Sequence, residues 1–182
     1  MKRREVIKRT AILMGGVVSA PAIMGILKGC KATPGLEWTP EFFTEDQAFV
    51  ITEVSEIIIP KTDTPGAKDA GVPAFIEQMI FKAYKESDRE KFIAALDEFT
   101  ATSGFLKLNS EKQKSYVLEA HQKAIEEKPE QRPFVMIMKE LTMLGFFSSK
   151  PGATEVLRYE AVPGYYNGCM PFSEVGKTWA TS

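Results

Sequence analysis

The 182-residue sequence is poor in the residues that most often do chemistry: one histidine, His121, and two cysteines, Cys30 and Cys169. A single histidine excludes a His-Glu-x-x-His zinc helix, and no carboxylate stands three residues before it as a di-iron helix requires. Two cysteines so far apart exclude a Cys-x-x-Cys-His haem attachment site and a disulfide framework. There is no GxGxxG, no Walker loop and no GxSxG, so the usual cradles for a dinucleotide, a triphosphate or an acyl intermediate are missing. A net charge of −1 supplies no overall positive field for phosphate, which argues against nucleic acid as a partner.

The charge that is present falls in two blocks. Six of the 23 basic residues precede Cys30 but only one of the 24 acidic residues does, which leaves Cys30 to Ser182 at −6. Residues 1–29 open with Lys2, Arg3, Arg4, Lys8 and Arg9 and continue through an uncharged stretch, Thr10 to Leu27, in the layout of an export signal. The adjacent Arg3 and Arg4, followed by Val6, Ile7 and Lys8, resemble the bacterial twin-arginine signal, which exports cargo already folded. Leu27-Lys28-Gly29-Cys30 resembles a lipobox, which would put diacylglycerol on the Cys30 sulfur and anchor the chain to a membrane. Cleavage after Ala22 with soluble release, and a Cys30–Cys169 disulfide in an oxidising compartment, are the alternatives. With Cys30 lipidated, Cys169 is left as a free thiol, either buried and inert or available to a partner.

Residues 30–43 mix Pro, Gly and Thr and read as a tether, and residues 44–182 as one domain. Thr44 and Gln47 form a capping box ahead of Ala48, Ile51, Val54 and Ile58, giving a first helix that stops at Pro60. Lys61 to Val72 is loop by composition. Pro73 starts a second helix carrying Phe75, Ile76, Met79, Ile80 and Ala83, and Ser87 with Glu90 caps a third, from Asp88 to Thr102, ended by Gly104. Ser110 with Gln113 starts a fourth, whose stripe is Val117, Ala120 and Ala124. A fifth begins near Pro133 and carries Phe134, Ile137, Met138, Leu141 and Leu144. No segment alternates with period two, so the fold is read as all-α, five helices around one core, followed from Ser148 by an irregular tail.

Candidate chemistry within this frame is thin. Glu53 and Glu56 share a helix face, as do Asp97 and Glu98 with their neighbours, but such pairs are ordinary on solvated helices. Asp63 and Asp69 lack the oxygen spacing of a calcium loop. Met136, Met138 and Met143 read as core rather than as a copper site.

The stretch Ile51 to Ile76, with Pro60, Gly66, Ala67 and Gly71, resembles the gluconate 2-dehydrogenase subunit 3 family. So does Gly145 to Cys169, with Gly152, Ala153, Thr154, Tyr159, Pro163, Gly164, Tyr166, Gly168 and Cys169. The resemblance spans Phe42 to Cys169. It implies a small, non-catalytic subunit that helps mature or export a membrane-associated sugar or polyol dehydrogenase. The large subunit would carry FAD in a glucose-methanol-choline type fold and pass electrons to a cytochrome c subunit. A partner surface is then expected on the Lys61 to Val72 loop and the Gly152 to Cys169 tail, with Tyr159, Tyr165 and Tyr166 as anchors. The alternatives are that these tyrosines cap the chain's own helices, and that the protein is a stand-alone envelope lipoprotein binding carbohydrate or tethering another envelope component.

Overall fold

The computed structural model describes residues 36, 38–162, 164 and 167–180, which fall in one compact unit beginning at Leu36. Arg3, Arg4, Cys30, Tyr165 and Tyr166 lie outside the described residues. The described chain is all-α: five helices of seven residues or more with no strand among them.

Helix α1, Glu45–Ile58, starts at the expected capping box. The Gln47 amide donates to Thr44 Oγ1 at 3.3 Å and the Thr44 amide donates to Gln47 Oε1 at 3.1 Å. Buried residues occupy most of its circumference, Phe49, Val50 and Ser55 as well as Ala48, Ile51 and Val54, because four other helices pack around it. Helix α2, Val72–Gln78, follows Gly71 at φ 72°, a left-handed conformation that glycine adopts without a Cβ penalty. A single π-helical turn, Met79–Ala83, extends it and buries Ile80.

Helix α3, Glu86–Ser103, buries the expected stripe Phe92, Leu96 and Phe99 and ends at Gly104, φ 59°. Its start differs from expectation: Lys85 is the N-cap and makes no side-chain cap bond, so Ser87 lies inside the first turn. Glu86 and Asp88 favour that earlier start by placing negative charge at the positive end of the helix dipole. Helix α4, Ser110–Glu127, is likewise capped one residue earlier than Ser110. Asn109 Oδ1 accepts the Lys112 amide at 2.9 Å, which frees Gln113 to turn inward and donate to the Phe105 carbonyl at 3.1 Å.

Helix α5, Phe134–Ser148, buries Phe134, Met138, Leu141 and Phe146, but Leu144, expected in the core, is 50% exposed. Gly145 explains the difference. A Cβ there would lie 2.6 Å from the Phe75 ring, so α2 approaches this turn along Gly145 and leaves Leu144 outside. After α5 comes a second π-helical turn, Gly152–Val156, and later a short helix α6, Phe172–Val175.

The stretch read as a tether is docked over its last six residues. Trp38 Nε1 donates to Thr52 Oγ1 at 3.1 Å, Phe43 is buried, and Phe42 stacks on Phe81 with ring centroids 4.6 Å apart. What holds it is Glu77, 1% exposed, whose Oε1 accepts the amides of Glu41, Phe42 and Phe43 at 3.1, 2.9 and 3.0 Å. Three successive amides aimed at one carboxylate satisfy the acceptors that burial takes away from water.

Candidate partner-docking surface

The loop after α1 is built from both ends. The Ala67 amide donates to the Ile59 carbonyl at 2.9 Å and the Val72 amide to the Ala67 carbonyl at 3.0 Å, so Ala67, fully buried, is the peg that seats the loop. Glu56 closes it: its carboxylate accepts the Lys61 amide and the Lys68 amide, each at 2.9 Å. Glu53 Oε1 meets Lys68 Nζ at 2.6 Å. The two carboxylates that share a face of α1 therefore serve this loop's geometry. Gly66 belongs to the same construction, since a Cβ there would come within 2.5 Å of Glu56 Oε1 and 2.7 Å of the Lys61 backbone nitrogen. Lys61 Nζ pairs with Asp69 at 3.0 Å, and that bond, followed by one from the Gly66 amide, holds the Asp69 carboxyl below its ordinary range.

The loop and the start of the tail, expected to act together, do meet. Lys61 to Pro65 and Asp69 face Lys150, Pro151 and Glu155 across an open cleft of about 610 Å³. Gly152 is buried in the π-helical turn, where a Cβ would collide with the Phe146 carbonyl. The Ala153 amide donates to the Ser149 carbonyl at 2.9 Å and Thr154 Oγ1 to the Lys150 carbonyl at 2.8 Å. Gly66, Ala67, Gly71, Gly152, Ala153 and Thr154 thus fix the backbone of the two segments. The side chains offered outward lie further along, where Tyr159 is 52% exposed. Cys169 is exposed rather than buried, as are its neighbours Asn167 and Gly168.

Among the other candidates, His121 Nε2 lies 3.1 Å from Lys139 Nζ and ties α4 to α5. Among the described residues no three His, Cys, Asp or Glu side chains gather in a way that could hold a metal ion. Of the three methionines read as core, Met138 is buried and Met136 half-buried, but Met143 is exposed. A groove of about 480 Å³ between α3, α4 and the start of α5, floored by Phe99, Tyr116 and Phe134, had no counterpart in the sequence reading. Burial first of all raises the pKa of Tyr116 there, and the rim cations Lys91, Lys123 and Arg132 are paired with Asp88, Glu127 and Glu140.

Sequence reasoning also missed the exposed apolar side chains: Met143, Leu144 and Phe147 on α5, and Val162 and Phe172 in the tail, the last two 80% and 74% exposed. The signal was available in α5, where Lys139 and Glu140 are the only charged residues of Phe134–Ser148, too few to solvate an outer face. No helix among the described residues is long and apolar enough to cross a membrane.

Fold and surface together define an all-α domain in which Glu53, Glu56 and Asp69 serve the geometry of the domain's own loop and several large apolar side chains stay exposed. The chain belongs to the gluconate 2-dehydrogenase subunit 3 family, whose model matches residues 45–164. Members of that family are subunits of multi-subunit dehydrogenase complexes. No curated protein matches the chain, and no solved structure does.

Proposed function

We propose that this chain is the non-catalytic small subunit of an exported, FAD-dependent dehydrogenase of the glucose-methanol-choline type that oxidises gluconate, another sugar or a polyol. It would act by escorting and stabilising the flavoprotein subunit in the cell envelope, with a cytochrome c subunit as electron acceptor. The observation that carries this reading is the family match over residues 45–164. FAD is assigned to the partner because this sequence has no GxGxxG turn and its described fold has no strand-to-helix crossover to cradle a dinucleotide.

The escort role follows from the order of events. A flavoprotein folds around its cofactor before export, and a large subunit without a leader crosses only with a partner that bears one, here through Arg3 and Arg4. A partner that binds only the folded flavoprotein also stabilises it by mass action. Lipidation at Cys30 would then hold the complex at a membrane. Replacing Arg3 and Arg4 by lysine is the test. Flavoprotein retained inside the cell, with its own sequence untouched, is expected; unaltered export of the flavoprotein would refute the escort role.

A further inference from the structure

The sequence holds two asparagines, Asn109 and Asn167, and each uses its side-chain oxygen to accept a backbone amide. Their settings differ in the residue that follows. Asn109 caps α4: its Oδ1 accepts the Lys112 amide at 2.9 Å, and the next residue, Ser110, is the first of the helix. Asn167 stands in the tail, where Gly168 and Cys169 form a turn and all three residues are exposed. Its Oδ1 accepts the Cys169 amide at 3.2 Å, two residues on, in the manner of an Asx turn. Among the described residues the Gly168 amide has no hydrogen-bond partner.

The Asx-turn bond closes a ring of atoms that runs through both Cγ of Asn167 and the nitrogen of Gly168. Those two atoms are the partners of an intramolecular acyl transfer. The Gly168 nitrogen bonds to Cγ, the Cγ–Nδ2 bond breaks, and the departing nitrogen takes the proton that Gly168 gives up and leaves as ammonia. The product is a cyclic imide. Water, which reaches an exposed turn, then opens the imide at either carbonyl and gives aspartate or isoaspartate; no oxidant or reductant is needed. Negative charge develops on Oδ1 during the attack, and the Cys169 N–H already points at that atom, so the turn supplies a donor to the oxyanion. Nucleophile and carbonyl sit on one short segment, so little freedom is lost in bringing them together. Gly168 has no Cβ to crowd its nitrogen, and its backbone is free of helical bonds. At Asn109 the carbonyl is polarised in the same way, and the nucleophile is what fails. Ser110 carries a Cβ, and swinging its nitrogen onto Cγ would unwind the first turn of α4.

We propose that Asn167-Gly168 is a self-modifying site: it converts spontaneously, through the cyclic imide, to aspartate and isoaspartate, while Asn109 is kept as an amide by its helix. The change adds a negative charge to the exposed tail. Isoaspartate also reroutes the main chain through the side-chain carbonyl, two residues before Cys169. This chemistry goes beyond the small-subunit reading and holds independently of it.

The test uses the purified full-length chain, incubated at neutral pH and physiological temperature, digested at intervals and weighed peptide by peptide. Isoaspartate is counted with an isoaspartyl methyltransferase and labelled S-adenosylmethionine. Acid forms are expected to accumulate at position 167 while Asn109 stays an amide. Asn167→Gln should lose both the mass change and the methyl label there. Gly168→Val should slow the conversion about tenfold or more, which corresponds to about 1.4 kcal/mol of added barrier. In the same chain unfolded in guanidinium, Asn109 should begin to convert, and Asn167 should convert no faster than in the folded protein. Conversion of Asn109 at the pace of Asn167 in the folded chain, or an Asn167 that converts only after unfolding, would overturn the proposal.

Discussion

Replacing Glu77 by glutamine changes one atom in the described interior and should release the segment that leads into the domain. Glu77 Oε1 accepts three amides, and Oε2 accepts the Glu41 amide at 3.2 Å. In the variant one oxygen remains, its charge is gone, and the new amino group faces the Glu41 N–H, donor against donor. A hydrogen bond to a charged group is worth about 1.5–3 kcal/mol and a neutral one about 1 kcal/mol. Weakening the bonds of three amides, one of them shared between the two carboxylate oxygens, at a buried site therefore costs about 2–4 kcal/mol. For a domain of this size that is a fall in Tm of about 5–15 °C. The effect should be local first. Hydrogen exchange at the amides of Glu41, Phe42 and Phe43 should accelerate before that of α1, and the Phe42–Phe81 stack should open. Glu77→Ala should cost more, since it also leaves a cavity. A Glu77→Gln protein with unchanged Tm and unchanged exchange at residues 41–43 would refute the clamp.

Two further outcomes follow from the same accounting of polar groups. Thr142 is fully buried and its Oγ1 has no hydrogen-bond partner among the described residues, so Thr142→Val, nearly equal in shape, should raise stability by about 1 kcal/mol in chemical denaturation; a loss of similar size would mean the hydroxyl has a partner. The depressed Asp69 pKa means that its pairing with Lys61 and the Gly66 amide stabilises the folded loop above the ordinary carboxylate pKa, and that this contribution is lost as pH falls through the lower folded value. Acid should therefore loosen residues 61–69 below about pH 4 in hydrogen exchange, and Asp69→Asn should abolish that step while loosening the loop at neutral pH.

Much of the helical frame was legible because its cues are local. The Thr44 capping box, Pro73 in a first turn, Gly104 after α3 and the 3.6-residue spacing of Phe92, Leu96 and Phe99 each act within a few residues of sequence. The N-caps, Lys85 and Asn109, were misplaced by one or two residues because several polar side chains compete for a cap and tertiary contacts choose among them. Gln113 is the plain example, drawn inward by the Phe105 carbonyl. Glu77 could not be read at all. An acid after Ile76 in an amphipathic helix looks solvated until the chain some 35 residues upstream folds over it. The exposure of Leu144 was hidden for the reciprocal reason, since it depends on Phe75 reaching Gly145. At the candidate surface, the two segments were recognisable from their glycines and their family pattern. That those glycines answer to Glu56 and to the Phe146 carbonyl is a matter of close approach, which spacing does not encode.

The central claim is that this chain exists to hold a flavin-bearing companion, and the direct measurement is purification of the tagged chain from native membranes, with the copurifying proteins weighed and their flavin quantified. An approximately equimolar flavoprotein, yellow and active as a dehydrogenase, with no flavin remaining on the small chain after separation, is the predicted result. A chain recovered alone, or one that itself retains the prosthetic group or oxidises the substrate, would contradict the account.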